Sequence, residues 1–189
     1  MLEDTWNRIT TWLEANAPAM AAVLNPGATQ ADIDRLEQRL KVHLPDDYKA
    51  FLRLCNGQQT DEGPGFYDGE LLSTDNVYDQ WKVWNDLLTA KTFEGIHSKP
   101  ARGIRNDWWN AKWIPFTHDG GGNHRCLDLD PAPRGTHGQV INMDHDSPER
   151  AVLYPSFTAW LEHIADGLES GDIVFDQEDY FQLVDADEI

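Results

Sequence analysis

Apolar residues along the first ninety positions recur at three- and four-residue steps, the spacing that lines one face of an α-helix. Trp6, Ile9 and Leu13 predict a helix over Thr5 to Asn16, which Ala17-Pro18 ends or kinks, because proline has no N–H to give and crowds the preceding turn. After the turn at Asn25-Pro26-Gly27, Thr29 and Asp32 form a near capping box ahead of Ile33, Leu36 and Leu40, and predict a second helix. A third follows at Leu44-Pro45-Asp46-Asp47-Tyr48-Lys49-Ala50-Phe51-Leu52-Arg53-Leu54-Cys55-Asn56-Gly57. There Pro45 suits the first turn, Asp46 and Asp47 meet the positive end of the helix dipole, and Tyr48, Phe51, Leu52 and Cys55 share one stripe. Asn56-Gly57 is expected to supply the left-handed residues that end it. Gly57 to Gly65 reads as a loop, Gly69 to Ser73 as a short strand, and Thr74 or Asp75 as the cap of a helix carrying Val77, Trp81, Trp84 and Leu88.

From Trp113 the period shifts towards two. Trp113–Thr117, Arg125–Leu129, Gln139–Met143 and Arg150–Tyr154 are short runs separated by Gly, Asp, Asn and Pro, as in an antiparallel meander. Ser156 then caps a closing helix through Phe157, Trp160, Leu161, Ile164 and Leu168 that stops before Gly171. Helices, then strands, then a helix give an α+β fold, with a meander of about four to six strands.

The Leu44–Gly57 segment resembles the signature helix of the SUKH superfamily, which includes fungal regulators of cell-wall glucan synthesis and bacterial immunity proteins of polymorphic toxin systems. Trp113-Ile114-Pro115-Phe116, Asp119-Gly120-Gly121-Gly122-Asn123 and the strand Arg125-Cys126-Leu127-Asp128-Leu129-Asp130 resemble the family's central hairpin. Gly138-Gln139-Val140-Ile141 is similar to its next strand, and Ser156-Phe157-Thr158-Ala159-Trp160-Leu161 to its closing helix. The chain reads as a single domain over residues 1–189 in which the resemblance covers a core at about 29–168; the helical insert at about 77–110 is longer and richer in Trp than the family core leads one to expect, and an acidic segment covers 169–189. Its motif residues Leu44, Pro45, Tyr48, Phe51, Asn56, Gly57, Trp113, Pro115, Asp128, Gly138, Phe157, Trp160 and Leu161 are expected to be structural.

A chain of 189 residues can bury about 70% of its unfolded surface in one domain and needs no staple. Its two cysteines, Cys55 and Cys126, lie far apart in sequence, the first on an apolar stripe, which suits a reducing, cytoplasmic setting. No apolar run approaches the roughly 20 residues of a membrane helix, and the acidic Met1-Leu2-Glu3-Asp4 start is unlike a secretion signal. The net charge of −18 argues against direct nucleic-acid binding, which relies on Lys and Arg neutralising phosphates. Ten of the acids follow Arg150, where no Lys or Arg occurs; such a surface steers a basic partner to the chain, although acidity that serves solubility alone accounts for the same charge. The one basic stretch, Lys82 to Lys112, has six Lys or Arg against three acids.

Candidate chemistry centres on His118, Asp119, His124, Asp128, Asp130, Asp144, His145 and Asp146 near the strand ends. None matches the spacing of a helical zinc site or a calcium loop, and turn-forming Asp and Asn account for the cluster more simply. Gly120-Gly121-Gly122 lacks the Lys-Ser/Thr of a phosphate loop, and the chain has no Gly-x-Ser-x-Gly elbow. No cofactor, metal or catalytic residue is therefore expected. The resemblance implies a non-catalytic immunity protein that binds and neutralises a cognate toxin, with a basic nuclease domain as the fitting partner. The alternatives are a regulator or scaffold of the cell-wall assembly type and, third, a metal-dependent enzyme built on the Asp/His cluster. The expected partner contacts are Asp61, Glu62, Asp68, Asp119 and Asn123, with an aromatic anchor at Trp108 or Trp109, since two adjacent tryptophans cannot both point inward from a regular strand.

Overall fold

The computed structural model of the chain describes residues 1–59, 63–178 and 181–188. Among the described residues six α-helices, α1 (Leu2–Asn16), α2 (Pro18–Val23), α3 (Gln30–Leu40), α4 (Asp46–Leu54), α5 (Thr74–Thr89) and α6 (Phe157–Ser170), surround a mixed set of short strands. In chain order the described strands are β1 (Gly65–Tyr67), β2 (Glu70–Leu71), β3 (Lys99–Pro100), β4 (Trp113–Pro115), β5 (Thr117–His118), β6 (His124–Asp128), β7 (Gln139–Met143), β8 (Glu149–Arg150), β9 (Val152–Tyr154), β10 (Ile173–Asp176) and β11 (Gln182–Asp185). The central sheet is the expected antiparallel meander, in the order β4-β6-β7-β9. The α+β class and the closing helix are as the periodicities predict.

Local signals act where they are expected, with small shifts. Thr29 and Asp32 close a reciprocal capping box on α3, the backbone N–H of Thr29 donating to Asp32 Oδ2 and that of Asp32 to Thr29 Oγ1. Ser73, one residue early, caps α5, and Ser156 caps α6 by accepting from the Ala159 N–H. Helix α4 departs from expectation at its end: it stops in the extended Cys55 rather than in a left-handed Asn56-Gly57. Gly57 does take a φ of 67°, but two residues later, where a Cβ would lie 2.4 Å from the Leu72 carbonyl carbon. It is there to let the chain pass β2, and the Asn56 side chain accepts from the Thr74 N–H to join α4 to the start of α5.

The motif segments form one continuous core. Strand alternation puts Ile114, Leu127 and Val140 on one face of the sheet, and Phe116 continues that face towards α4 and α6. There Phe116 meets Phe157 and Trp160 at 5.2 and 5.0 Å between ring centres, and Tyr48 and Phe51 each approach Phe157 at 4.9 Å. The Asp47 carboxylate accepts from the Thr158 N–H and hydroxyl, tying the N-terminus of α4 to that of α6. Gly138, with φ 83°, packs directly under the Pro45 ring, which explains why a glycine stands opposite the Leu-Pro step.

The other face is covered by the insert. Trp113, Cys126, His124, Ile141 and Met143 point that way, against Trp84 of α5 and Trp109. The segment after α6, for which the sequence suggests only acidity, forms a second sheet ordered β1-β11-β10, with β1 parallel to β11 and β10 antiparallel to it. This pairing places Gln182 beside the β1–β2 turn and so completes one wall of the site described next. Among the described residues, no helix is long and apolar enough to cross a membrane.

Candidate functional site

A cleft of about 470 Å³ opens at the end of the central sheet where β6 begins and β7 ends. Three loops and a strand wall it: the turn Asp68-Gly69, the β5–β6 loop with Asp119 and Asn123, the β7 end with Asn142 and Asp144, and Gln182 of β11. Arg125 lies on its floor. Gly69, at φ 109°, allows the wall to close, because a Cβ there would sit 2.4 Å from the His118 carbonyl oxygen.

Each charged group in the cleft is fixed. Arg125 makes a two-pronged pair with Asp68, Nε to Oδ2 at 2.9 Å and an Nη to Oδ1 at 2.5 Å. Asp119 Oδ1 accepts the backbone N–H groups of Gly121, Gly122 and Asn123 at 2.8 to 2.9 Å, and its Oδ2 accepts the Asn123 amide at 2.7 Å. Partial burial opposes ionisation of Asp119, but these donors outweigh it and hold the carboxyl below the usual carboxylate range. Asp144 Oδ1 caps its own turn by accepting from the N–H groups of Asp146 and Ser147. With Asp68 and Arg125 neutralising each other, Asp119 and Asp144 leave the cleft net negative, with its anions already oriented.

The same geometry occupies or buries several of the groups that acid–base or thiol chemistry would use, though His118, stacked on His124 at 5.1 Å, keeps a buried Nδ1 without a hydrogen-bond partner among the described residues. His124 is buried: its Nε2 accepts from the Trp84 indole at 3.1 Å, which leaves Nδ1–H to donate to the Thr117 carbonyl at 2.8 Å. Burial pushes its pKa down to about 4, so at neutral pH it is uncharged with both nitrogens occupied. Burial also pushes both thiols up, Cys55 to about 12 and Cys126 further. His145 is held by Asn123 and Asp146, and Asp130 by Arg105 and Asn110. Asp128, completely buried, accepts from Gln139 and the Asp130 N–H; burial raises its pKa. Among the described residues, no three His, Cys, Asp or Glu side chains are grouped so as to hold a metal ion.

Of the expected partner contacts, Asp68, Asp119 and Asn123 are brought together in this one cleft, although 55 positions separate the first from the last. Asp61 and Glu62 lie outside the described residues. The aromatic anchor requires correction. Trp109 is 2% exposed, wedged between Trp84 at 5.7 Å and Trp113 at 6.2 Å, so it is core and offers no contact to a partner. Trp108 is half-buried, with the guanidinium carbon of the buried Arg150 5.2 Å from its ring centre. The segment forms no regular strand, so alternation does not govern it; Trp109 is buried while Trp108 keeps partial exposure with Arg150 against its ring. Arg125, Asn142, Asp144 and Gln182 were not foreseen as a group. Alternation alone puts Arg125 and Asn142 on some face of their strands; only the pairing Arg125↔Asn142 makes it the same one.

A mixed α+β domain with a fixed, negatively charged cleft at one sheet end is the class that this geometry defines. The chain belongs to the SMI1 / KNR4 family (SUKH-1), whose model matches residues 27–163. It is 29% identical to the cell wall biosynthesis/cell cycle regulator smi1 of Schizosaccharomyces pombe, over 94% of this chain and 38% of that protein. It is 26% identical to the cell wall assembly regulator SMI1 of Saccharomyces cerevisiae, over 93% of this chain and 42% of the regulator. Half of the chain is 34% identical to 18% of the human F-box only protein 3. The chain thus spans about two fifths of the length of these fungal relatives.

Proposed function

We propose that this chain is a non-catalytic, cytoplasmic protein-binding domain of the regulator or scaffold type, and that its acidic cleft receives a basic segment of a protein partner. The observation that carries this reading is the arrangement of Asp119 and Asp144, each pre-oriented by its own loop's N–H donors beside the Asp68–Arg125 pair. Anions held this way bind a Lys or Arg side chain without first losing conformational freedom. The fungal relatives, named as cell-wall and glucan synthesis regulators, support the regulatory reading over the toxin-neutralising one. The neutralising reading retains the net charge of −18 in its favour, and it predicts a secreted protein with a variable C-terminal toxin domain encoded directly upstream.

The test uses a blocked tetra-arginine peptide as probe, titrated while backbone amide NMR signals are followed. Saturable shifts at Asn123, Arg125, Asn142 and Asp144 are expected, weakening steeply with salt. Asp119→Asn together with Asp144→Asn should weaken binding about tenfold, as the loss of close charge partners does. Shifts scattered over the acidic surface, or an unchanged affinity in the double variant, would remove the cleft as the binding site.

A further inference from the structure

The basic stretch that stands out in the sequence has a second role. Its last residue, Lys112, folds back against the C-terminus of α3, where its ammonium donates to the Lys41 carbonyl at 3.1 Å. Together with Arg39 and Lys41 it borders a pocket of about 450 Å³ whose floor is Tyr78 and Trp81 and whose wall includes Asn85. Three cations and no carboxylate line this pocket, in a chain with 33 acids and only 15 Lys or Arg.

The cations are arranged rather than merely close. Arg39 lies over the Tyr78 ring with its guanidinium carbon 3.5 Å from the ring centre, and that stacking orients the fork. Arg39 is also paired with Asp75 at 3.1 Å and Asp79 at 3.9 Å, exposed carboxylates of α5 that are not among the pocket lining, so Lys41 and Lys112 carry the pocket's net positive charge. Trp81 is buried, and its indole N–H is taken by the Ala111 carbonyl at 2.9 Å, so it offers the pocket a ring without an unmet donor. Lys41 occupies the left-handed position that ends α3, φ 56°, where helices favour Gly or Asn. A lysine there adds an exposed cation at the rim at some conformational cost.

From these contacts we infer that the pocket binds the oxyanion of an acidic peptide segment on a protein partner. The carboxylate or phosphate would meet Arg39, Lys41, Lys112 and the Asn85 amide, and a neighbouring apolar side chain would lie on Tyr78 and Trp81. The pocket is separate from the acidic cleft. Lys112 precedes Trp113, which pairs with Asp128 at one end of β6, whereas the cleft is built on His124 and Arg125 at the other, about 13 Å of strand away. One sheet therefore presents sites of opposite charge at its two ends, which is the geometry of a domain that bridges two partners or two segments of one.

The experiment titrates the whole chain with three probes at low ionic strength: a blocked tetraglutamate peptide, a blocked phosphoserine peptide and inorganic phosphate. Backbone and indole N–H signals are followed. Saturable shifts at Lys41, Asn85, Ala111 and the Trp81 indole are expected with one or both peptides, and which peptide binds more tightly tells carboxylate from phosphate. Lys41→Asn with Lys112→Gln, which keeps the left-handed backbone supplied with a tolerant residue, should weaken the peptide about tenfold while leaving tetra-arginine binding at the cleft unchanged. Asn85→Glu, which keeps all three cations, should weaken it as well. Phosphate alone binding as tightly as either peptide would overturn the assignment to a peptide. Absence of saturable shifts with every probe, or affinities unaltered in both variants, would overturn the site itself.

Discussion

The two faces of the central sheet are buried by different means. Towards α4 and α6 the cover is helical, the contacts are aromatic and aliphatic, and the helix backbones satisfy their own hydrogen bonds. Towards the insert the cover from Lys91 to Lys112 is almost entirely irregular, so only some of its carbonyls, such as those of Lys91, Phe93 and Ala101, are paired within the segment and others need donors from elsewhere. The surrounding side chains provide them: Gln139 donates to the Gly103 carbonyl, Arg150 to that of Trp108 and Trp81 to that of Ala111. Hence buried His124, Asp128, Gln139 and Arg150 all lie on or beside this face. A regular cover needs only apolar surface, whereas an irregular one also needs a polar framework beneath it.

Phe51→Ala should have the largest effect, about 3–5 kcal/mol, because it removes a ring packed against Trp6, Tyr48 and Phe157 and leaves a cavity. A urea titration at neutral pH measures it, and an unchanged midpoint would mean that α4 is not the central element of the helical face. Next comes acidification, which should act through the insert face. His124 holds a proton with a pKa of about 4 when folded, against 6.5 as a free side chain, so the unfolded chain binds more protons between those values. Its contribution is complete above about pH 6.5 and is lost as pH falls towards 4, amounting to roughly 3 kcal/mol. Urea midpoints measured across this range should fall less in His124→Gln than in the parent; parallel pH profiles would dissociate the polar framework from this histidine.

The smallest expected effect, about 1–3 kcal/mol, belongs to Arg150→Met. It keeps the apolar stem but leaves the Ser147, Glu149 and Trp108 carbonyls without their donor. Hydrogen exchange should sharpen the comparison: the Lys99 and Ala101 amides, which bond the Pro148 and Arg150 carbonyls in the separate β3–β8 pair, should exchange faster in this variant, with α4 and α6 unaffected. Uniform acceleration across the chain would show that the insert is no separate layer.

The helices and the meander were legible in the sequence because each is encoded locally. Ile33, Leu36 and Leu40 share a stripe whatever they pack against, Thr29 and Asp32 cap each other across three residues, and the runs from Trp113 to Tyr154 alternate within themselves. The family resemblance, carried by Leu44 to Gly57 and Ser156 to Leu161, rests on such local patterns too. The acidic side of the candidate cleft was half legible: Asp68, Asp119 and Asn123 were singled out as separate loop residues, with nothing to show that they meet. Tertiary structure alone decided that Trp109 is core while Trp108 lies half-buried against Arg150, that Gln182 closes the cleft, and that Lys112 joins Arg39 and Lys41. Those outcomes depend on strand register and on segments tens of residues apart being pressed together by burial of a shared core. A periodicity reports which side of an element is apolar, and only packing selects the neighbour that side will meet.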